Sequence, residues 1–471
     1  MQTKIQPHYD VVIVGAGPAG MSAAITLSEY GLSVAVFDEQ AQPGGQIYRN
    51  GQCADKLLAT VLNKEPLSRA TVIRGNELIE RFNKCAANYF PESLVWNVES
   101  ISVIAVKRRG QVYQTACRYL LVASGAQERP VPFKGWQLPG VMGVGAAQIL
   151  LKSTGSLPKI APVLFGSGPL LYLYAVQLIS AGLPPRAILN TTTRKNSIRS
   201  LRYLPEALKS NTILKDGVRL LRSLRAASVP YYKDVTRLTA SGASQIEGVE
   251  FTAGGKNLHI ETSLLLSHHG VIPETQLLRA SGVECYWNDS AQCWSPVLDE
   301  WGASSIEGLY VCGDVASING AYSAEYDAAL ASFDIAFCAG VIGLSERDSL
   351  AVSHRKKSKR DKAIRPFLDS RYRVPDFLLY PTSDTMVCRC EGITAAQICE
   401  SIEQGCYGPN QVKSFTRCGM GACQGRMCGP AVEALIACKT GCTRTEVGQF
   451  RARPPVRPVS LADIASLDQD R

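Results

Sequence analysis

Residues 11–20, VVIVGAGPAG, restrict this chain more than any other stretch. A run of β-branched residues passes directly into Gly15-Ala16-Gly17-Pro18-Ala19-Gly20, and residues 21–31 have the composition of a helix. Each glycine has a physical task. Gly15 allows the tight turn, Gly17 lets the backbone approach a pyrophosphate without a Cβ in the way, and Gly20 lets the helix lie close to the strand. The helix N-terminus then presents unpaired N–H groups and the positive end of its dipole to the phosphates. An isolated pattern of this kind is weak evidence. Here a second strand, residues 33–37, ends in Asp38-Glu39, where a carboxylate can accept hydrogen bonds from ribose hydroxyls, and this context predicts a dinucleotide site.

At about 150 residues per domain, a chain of 471 residues has room for about three domains, each with its own core. No run of about 18 apolar residues occurs, so no membrane span is expected. The N-terminal residues lead straight into the first strand without a signal-peptide pattern, so a cytoplasmic protein is expected, membrane-associated only through its electron acceptor. In a reducing compartment the 16 cysteines should be thiols or ligands, and nine of them lie from Cys388 onward. The net charge of +9 is concentrated in the basic run 353–373. That run lacks aromatic interleaving and any nucleic-acid fold signature. It reads as a solvated linker or a face for an acidic partner, and no nucleic-acid partner is expected.

Further along, Gln42-Pro43-Gly44-Gly45-Gln46 is a loop whose backbone can lie against a planar ring. Residues 53–81 read as helix, and 87–105 and 111–122 as strands. These end in Ala123-Ser124-Gly125, small residues where the chain can pass close to a ligand. A second strand–glycine–helix signal follows at residues 162–165, Gly166-x-Gly168-x-x-Leu171 and 172–181. Leu171 replaces the third glycine, and the next strand, 187–189, ends in Asn190 instead of an acid. The repeat predicts a second dinucleotide fold whose site is degenerate, empty, differently used or open to NAD(P). Strands at 229–232, 246–252 and 258–267 complete this unit. The last runs into His268-His269, which either contact substrate or cofactor as catalytic candidates or simply fill a loop. A short strand then ends in Cys312-Gly313-Asp314 before a helix at 321–339.

These three motifs, in this order around an inserted second unit, resemble the two-dinucleotide-fold flavoprotein reductases over residues 8–345. The resemblance implies an α/β fold of two FAD/NAD(P)-type Rossmann domains, with FAD at the first and Asp314 on the ribityl chain. The implied cofactor-binding residues are Gly15, Gly17, Pro18, Ala19, Gly20, Asp38, Glu39, Gly45, Gln46, Ser124, Gly125, Gly313 and Asp314. Glu39 is preferred to Asp38 for the ribose because of its distance from Gly44-Gly45. No Cys-x-x-Cys occurs mid-chain, which sets this sequence apart from the disulfide-reducing members.

From residue 386 the composition changes. Cys388-x-Cys390 and Cys418-x4-Cys423 form two close thiol pairs separated by a helix-like spacer. Thiolates are the soft ligands of zinc and iron–sulfur clusters. A one-residue gap fits zinc poorly, and Gly419, Gly421 and Gly425 would let backbone N–H groups turn toward cluster sulfurs. The expected metal-ligating set is Cys388, Cys390, Cys418 and Cys423, with Cys428 as the rival ligand and a structural zinc as the alternative to a cluster. Cys399, Cys406, Cys438 and Cys442 are expected to fill space between small helices. The pattern resembles the bacterioferritin-associated ferredoxin domain, which holds a 2Fe-2S cluster.

Together with GSGPLLYLYAVQLISAG, HHGVIPETQL and WSPVLDEWGASS, this ending makes the whole chain resemble the α subunits of bacterial heteromeric amine dehydrogenases. These include opine oxidases, D-hydroxyproline and dye-linked proline dehydrogenases, and hydrogen cyanide synthase. The resemblance implies a β subunit resembling glycine and D-amino-acid oxidases, a small ferredoxin-like γ subunit, a small-molecule amine substrate and a quinone or dye-type acceptor. It places this chain as electron collector if the amine is oxidised on the partner's flavin. The expected division is residues 1–150 and 276–345 for the FAD domain, 151–275 for the inserted domain, 346–384 for a basic linker, 385–445 for the cluster domain and 446–471 for a Pro-rich tail extended over a partner or another domain. Two alternatives are a stand-alone NAD(P)H-dependent reductase and a non-catalytic scaffold that has lost its cofactors.

Overall fold

The computed structural model describes residues 4–49, 66–101 and 103–468. The strand His8–Val14 lies between Val34–Phe37 and Gln111–Val122, parallel to both. Val11, Val12 and Ile13 are fully buried, so both faces of this strand are covered, which is what an unbroken β-branched run requires. Asn88–Phe90 extends the sheet on one side in parallel, and Ser93–Ser100 and Val103–Arg108 continue it on the other as an antiparallel meander. Leu309–Val311 comes back from nearly 200 residues away to pair in parallel with Gln111–Val122, which closes the domain around the insert. The helices Pro18–Glu29 and Ala321–Cys338 lie side by side over one face. Of the helix expected at 53–81, Pro66–Lys84 is observed and the start lies outside the described residues.

The inserted unit carries a five-stranded parallel sheet in the order Tyr231–Tyr232, Ala187–Asn190, Val163–Gly166, Leu265–His268, Val141–Gly143. Where one strand is expected over 258–267, the structure has two. Lys256–Glu261 ends an antiparallel hairpin and Leu265–His268 enters the parallel sheet. Thr262 makes the break, because its hydroxyl donates to the Leu264 carbonyl and accepts from the Leu264 N–H, a local bond that competes with the ladder.

The basic run is also not a linker. It lies in the helices Leu344–Lys362 and Arg365–Arg371, the first of which packs along Ala321–Cys338. Part of its charge is spent within the chain: Lys362 pairs with Asp327 at 2.8 Å, and Arg355 pairs with Glu300 at 2.9 Å and lies over the Trp301 ring.

The cysteine-rich module combines a short hairpin, Met386–Cys388 with Ile393–Thr394, and four helices, Ala395–Glu403, Pro409–Thr416, Gly429–Thr440 and Arg444–Val447. Capping boxes start two of them, at Thr394–Gln397 and Thr443–Glu446. Its core is Val387, Ile398, Val412, Val432 and Ile436.

The tail lies across the chain's own first domain. Val456 is buried in the first sheet's core and its N–H donates to the Trp96 carbonyl at 2.9 Å, while Lys107 pairs with Asp463 at 2.6 Å. Leu461–Ala465 adds a helical turn to what composition predicts as fully extended chain. Phe450 anchors the start of this segment. Its ring leaves so little room that a Cβ on Gly425 would come within 2.7 Å of it, and one on Gly419 within 3.0 Å. Phe450→Ala should cost about 3–5 kcal/mol, the usual penalty for emptying a well-filled aromatic site. Denaturant unfolding followed by far-UV circular dichroism checks this, and an unshifted midpoint would show that the ring is dispensable.

Candidate functional site: a nucleotide loop beside a thiol cluster

The three glycines of the first loop meet three different surroundings. A Cβ on Gly15, at φ +103°, would lie 2.5 Å from the Ala123 carbonyl oxygen, and one on Gly20 would lie 1.8 Å from the Gly15 oxygen. Gly17 instead faces open space, with only the Gly45 Cα within 4 Å. The N-terminus of Pro18–Glu29 thus has an unobstructed approach for an anion, with no side chain occupying the cap. Gly313 closes on the same place, since a Cβ there would come 2.8 Å from the Ala19 Cβ.

At the end of the second strand the two acids separate. Asp38 is buried and its carboxylate turns back to accept from the Ala16 and Gln40 N–H groups, with burial raising its pKa. Glu39 is half exposed and pairs with Arg457 of the tail at 3.4 Å. Asp314 is partly buried and accepts from the Asn319 and Gly320 N–H groups at 3.1 and 3.2 Å; desolvation pushes its pKa up. Gln46 lies beside a residue that sequence reasoning missed. Lys152, on the helix Val144–Thr154, donates to the Gln46 and Ile47 carbonyls at 3.1 Å, and burial pushes its pKa down to about 8.

The second glycine loop differs where it matters for a ligand. The His268 ring lies 3.6 Å from where a Cβ of Gly168 would point, where Gly17 has the Gly45 Cα at 3.9 Å. His268 Nδ1 is 2.7 Å from Glu128 Oε1, which also accepts from the Gly145 N–H. Glu128 is 140 positions away in sequence, and no local pattern marks it. Asn190 is buried and committed to Tyr172 and to the Thr192 N–H. His269 is buried with no hydrogen-bond partner among the described residues at either ring nitrogen, its edge against Phe165, and burial pushes its pKa down to about 3. It stays neutral and fills space at physiological pH.

The thiols converge. Cys390 Sγ is 3.8 Å from Cys423 Sγ, and the sulfurs of Cys388, Cys418 and Cys428 lie within 4.8 Å of one another, all three buried. Metal–thiolate bonds of about 2.3 Å place two sulfurs of one tetrahedral ion about 3.8 Å apart. Gly421 makes the crowding possible, since a Cβ there would lie 2.1 Å from the Cys390 Cβ. Hydrogen bonds from the Cys418 and Cys428 thiols and from the Gly419 and Glu391 N–H groups push the Cys388 pKa down. Cys406 is buried, Cys399 is partly covered, and Cys438 and Cys442 are exposed, so the last two do not fill space between helices.

Loop and cluster are connected through Glu274. Its N–H donates to the Gly125 carbonyl, its own carbonyl accepts from the Ser124 hydroxyl, and its carboxylate pairs with Arg426 at 3.0 Å. Arg426 in turn donates to the Cys423 carbonyl.

Residues 9–330 match the pyridine nucleotide-disulphide oxidoreductase family, and residues 382–467 match the sarcosine oxidase A3 domain. An opine oxidase component from Rhizobium meliloti is 38% identical over 98% of this chain and 88% of its own length. The HcnB component of hydrogen cyanide synthase from Pseudomonas aeruginosa is 30% identical over 97% and 98%. Among solved structures, L-proline dehydrogenase from P. horikoshii shares the fold, with a TM-score of 0.70 at 19% identity over 97% of this chain and 79% of that one. Among the described residues no helix is long and apolar enough to cross a membrane.

Proposed function

Because the chain belongs to the α subunits of heteromeric amine dehydrogenases, a family of oxidoreductases acting on C–N donors that includes the opine oxidases, we propose that it is the electron-collecting member of such a complex. The proposed donor is a secondary amine or amino acid, such as proline, a hydroxyproline, an opine or glycine. The proposed partners are a β subunit resembling glycine and D-amino-acid oxidases and a small ferredoxin-like γ subunit, with a quinone or dye as acceptor. The observation that carries this reading is the convergence of five thiols, Cys390 with Cys423 and Cys388 with Cys418 and Cys428, bonded through Arg426 and Glu274 to the Ser124-Gly125 turn behind the nucleotide loop.

The residues fit the two groups this role needs. Gly15, Gly17, Gly20 and the helix N-terminus would receive the pyrophosphate of FAD, Glu39 its ribose, and Gly45, Gln46 and Asp314 its flavin half. The four paired thiols offer two sulfurs to each of two irons, a better fit to a 2Fe-2S cluster than to a single zinc. When bound, the flavin accepts electrons in pairs and the cluster passes them singly, which is why one chain would carry both. Glu274 and Arg426 fix the distance between the two sites by bonding to the Ser124-Gly125 turn and to Cys423.

Two features of the second loop, Leu171 in place of the third glycine and the committed Asn190, argue against NAD(P)H as the electron source. The purified complex should therefore contain iron and acid-labile sulfide, reduce a dye on addition of its amine, and leave flavin absorbance unchanged on addition of NADH or NADPH. Zinc in place of iron would sink the cluster assignment. Prompt bleaching by NADPH would favour the stand-alone reductase, and a colourless protein the scaffold.

A further inference from the structure

The inserted domain carries a surface that the redox role does not use. After the strand Ala187–Asn190 the chain runs through helical turns at Arg194–Ser200, Leu201–Tyr203, Leu204–Ala207 and Leu208–Ser210 into the helix Asn211–Ala226. Residues 194–226 hold nine lysines and arginines against two acids, a net charge of +7 in a chain whose total is +9. Both acids are already engaged, Glu206 with Lys209 at 2.7 Å and Asp216 with Arg219 at 3.7 Å. Among the described residues no ion pair reaches Arg199, Lys215, Arg222 or Arg225.

Apolar side chains stand among these cations. Ile198, Leu201 and Leu208 are 60%, 55% and 60% exposed. They recur at helical spacing, while Ser200, Ala207 and Ser210 between and after them are buried, the last with its hydroxyl donating to the Arg360 carbonyl. The helix Asn211–Ala226 keeps the same division. It buries Leu220 and Leu224 in the core shared with Pro169–Ser180 and presents Lys215, Arg219, Arg222 and Arg225 to solvent as one stripe. A single exposed aliphatic residue is ordinary, but three at one spacing, each beside a long cation of the set Arg199, Arg202 and Lys209, make a patch.

We infer that this surface docks on an anionic lipid bilayer, with Ile198, Leu201 and Leu208 entering the acyl boundary and the flanking lysines and arginines on the lipid phosphates. Two other occupants fit less well. The centre of a protein interface is depleted of charge and of lysine, whereas here cations alternate with the aliphatic chains. A nucleic acid offers phosphates but no apolar layer, so it would set the three aliphatic chains against a charged backbone. A bilayer supplies both at the right depths, because lysine and arginine stems lie along apolar surface while their heads stay at the level of the phosphates. The inference needs neither FAD, nor the cluster, nor an amine, and does not rest on the proposed redox role.

Flotation of the assembled complex with quinone-free vesicles tests it, one set made of phosphatidylcholine alone and one containing phosphatidylglycerol. The complex should float with the anionic vesicles, partition at least about tenfold less into the neutral ones, and be released by added salt. Leu201→Ser combined with Leu208→Ser and, separately, Arg199→Gln combined with Arg202→Gln should each lower partition at least about tenfold. All four side chains are exposed, so amine-dependent dye reduction and the unfolding midpoint should stay at their native values in both. No flotation with anionic vesicles, equal flotation with neutral ones, flotation that either double variant leaves intact, or capture of duplex DNA without capture of vesicles would overturn the inference.

Discussion

Gly20→Ala is expected to strip the flavin from the chain and to destabilise its first domain together. The added methyl would sit 1.8 Å from the Gly15 carbonyl oxygen, so the helix Pro18–Glu29 has to move away from the strand. It has little room to do so. Gly15 is held against Ala123, and Ala19 against Gly313, at separations that admit no further atom. Overfilling a tight contact of this kind costs about 1–3 kcal/mol, and the displaced helix no longer aims its N–H groups at the phosphates. Flavin per chain, read from visible absorbance after gel filtration, should fall at least about tenfold, with a lower midpoint of apoprotein unfolding. Gly17→Ala separates the two effects. Its methyl meets only the Gly45 Cα at 3.9 Å, so the apoprotein should unfold at the native midpoint while the flavin is lost to a methyl in the phosphate path. Full flavin content in Gly17→Ala would remove the loop from the binding site.

Whether a feature could be read from the chain depended on the distance over which it was encoded. The strand, turn and helix at residues 11–31 are local, and the period of apolar residues and the glycine spacing carry them. The basic run failed for a reason that composition cannot reveal. Its partners Asp327, Glu300 and Trp301 lie on other elements, and only the fold brings them under the helix Leu344–Lys362. Glu128 was unreadable for the same reason, since its link to His268 crosses two strands that pair only after the insert has folded. Of the two acids at residues 38 and 39, chain spacing favoured Glu39, and the structure leaves that carboxylate at the surface while tying Asp38 to the Ala16 and Gln40 amides. The five thiols were visible as cysteines, but spacing alone could not rank Cys423 against Cys428. Both follow the same glycine-rich turn, and the helix Gly429–Thr440 carries Cys428 back under Cys388.

The second large effect follows from that placement. Cys388→Ser should abolish cluster assembly and loosen the module that surrounds it. Cys388 ends the strand Met386–Cys388 with 1% exposure, and two backbone N–H groups and two thiols point at its sulfur. A serine hydroxyl there is a hard oxygen that stays protonated, a poor ligand for iron and a poor acceptor for thiols. Metal binding to a thiol site is folding free energy for a small domain, so the module, with a core of few residues, should lose several kcal/mol along with its metal. Iron content should fall to background and the cluster's visible bands and reduced-state EPR signal should vanish, while flavin content, held by the first domain, stays at the native level. Cys390→Ser, at the exposed end of the other pair, should lose the same signals with less damage to stability, because its side chain contributes little to the core. Cys428→Ala leaves both pairs complete and should keep its iron. If Cys428→Ala loses iron as fully as Cys388→Ser while Cys390→Ser or Cys423→Ser retains it, the fourth ligand is Cys428, and the cluster sits deeper in the module, against the helix Gly429–Thr440.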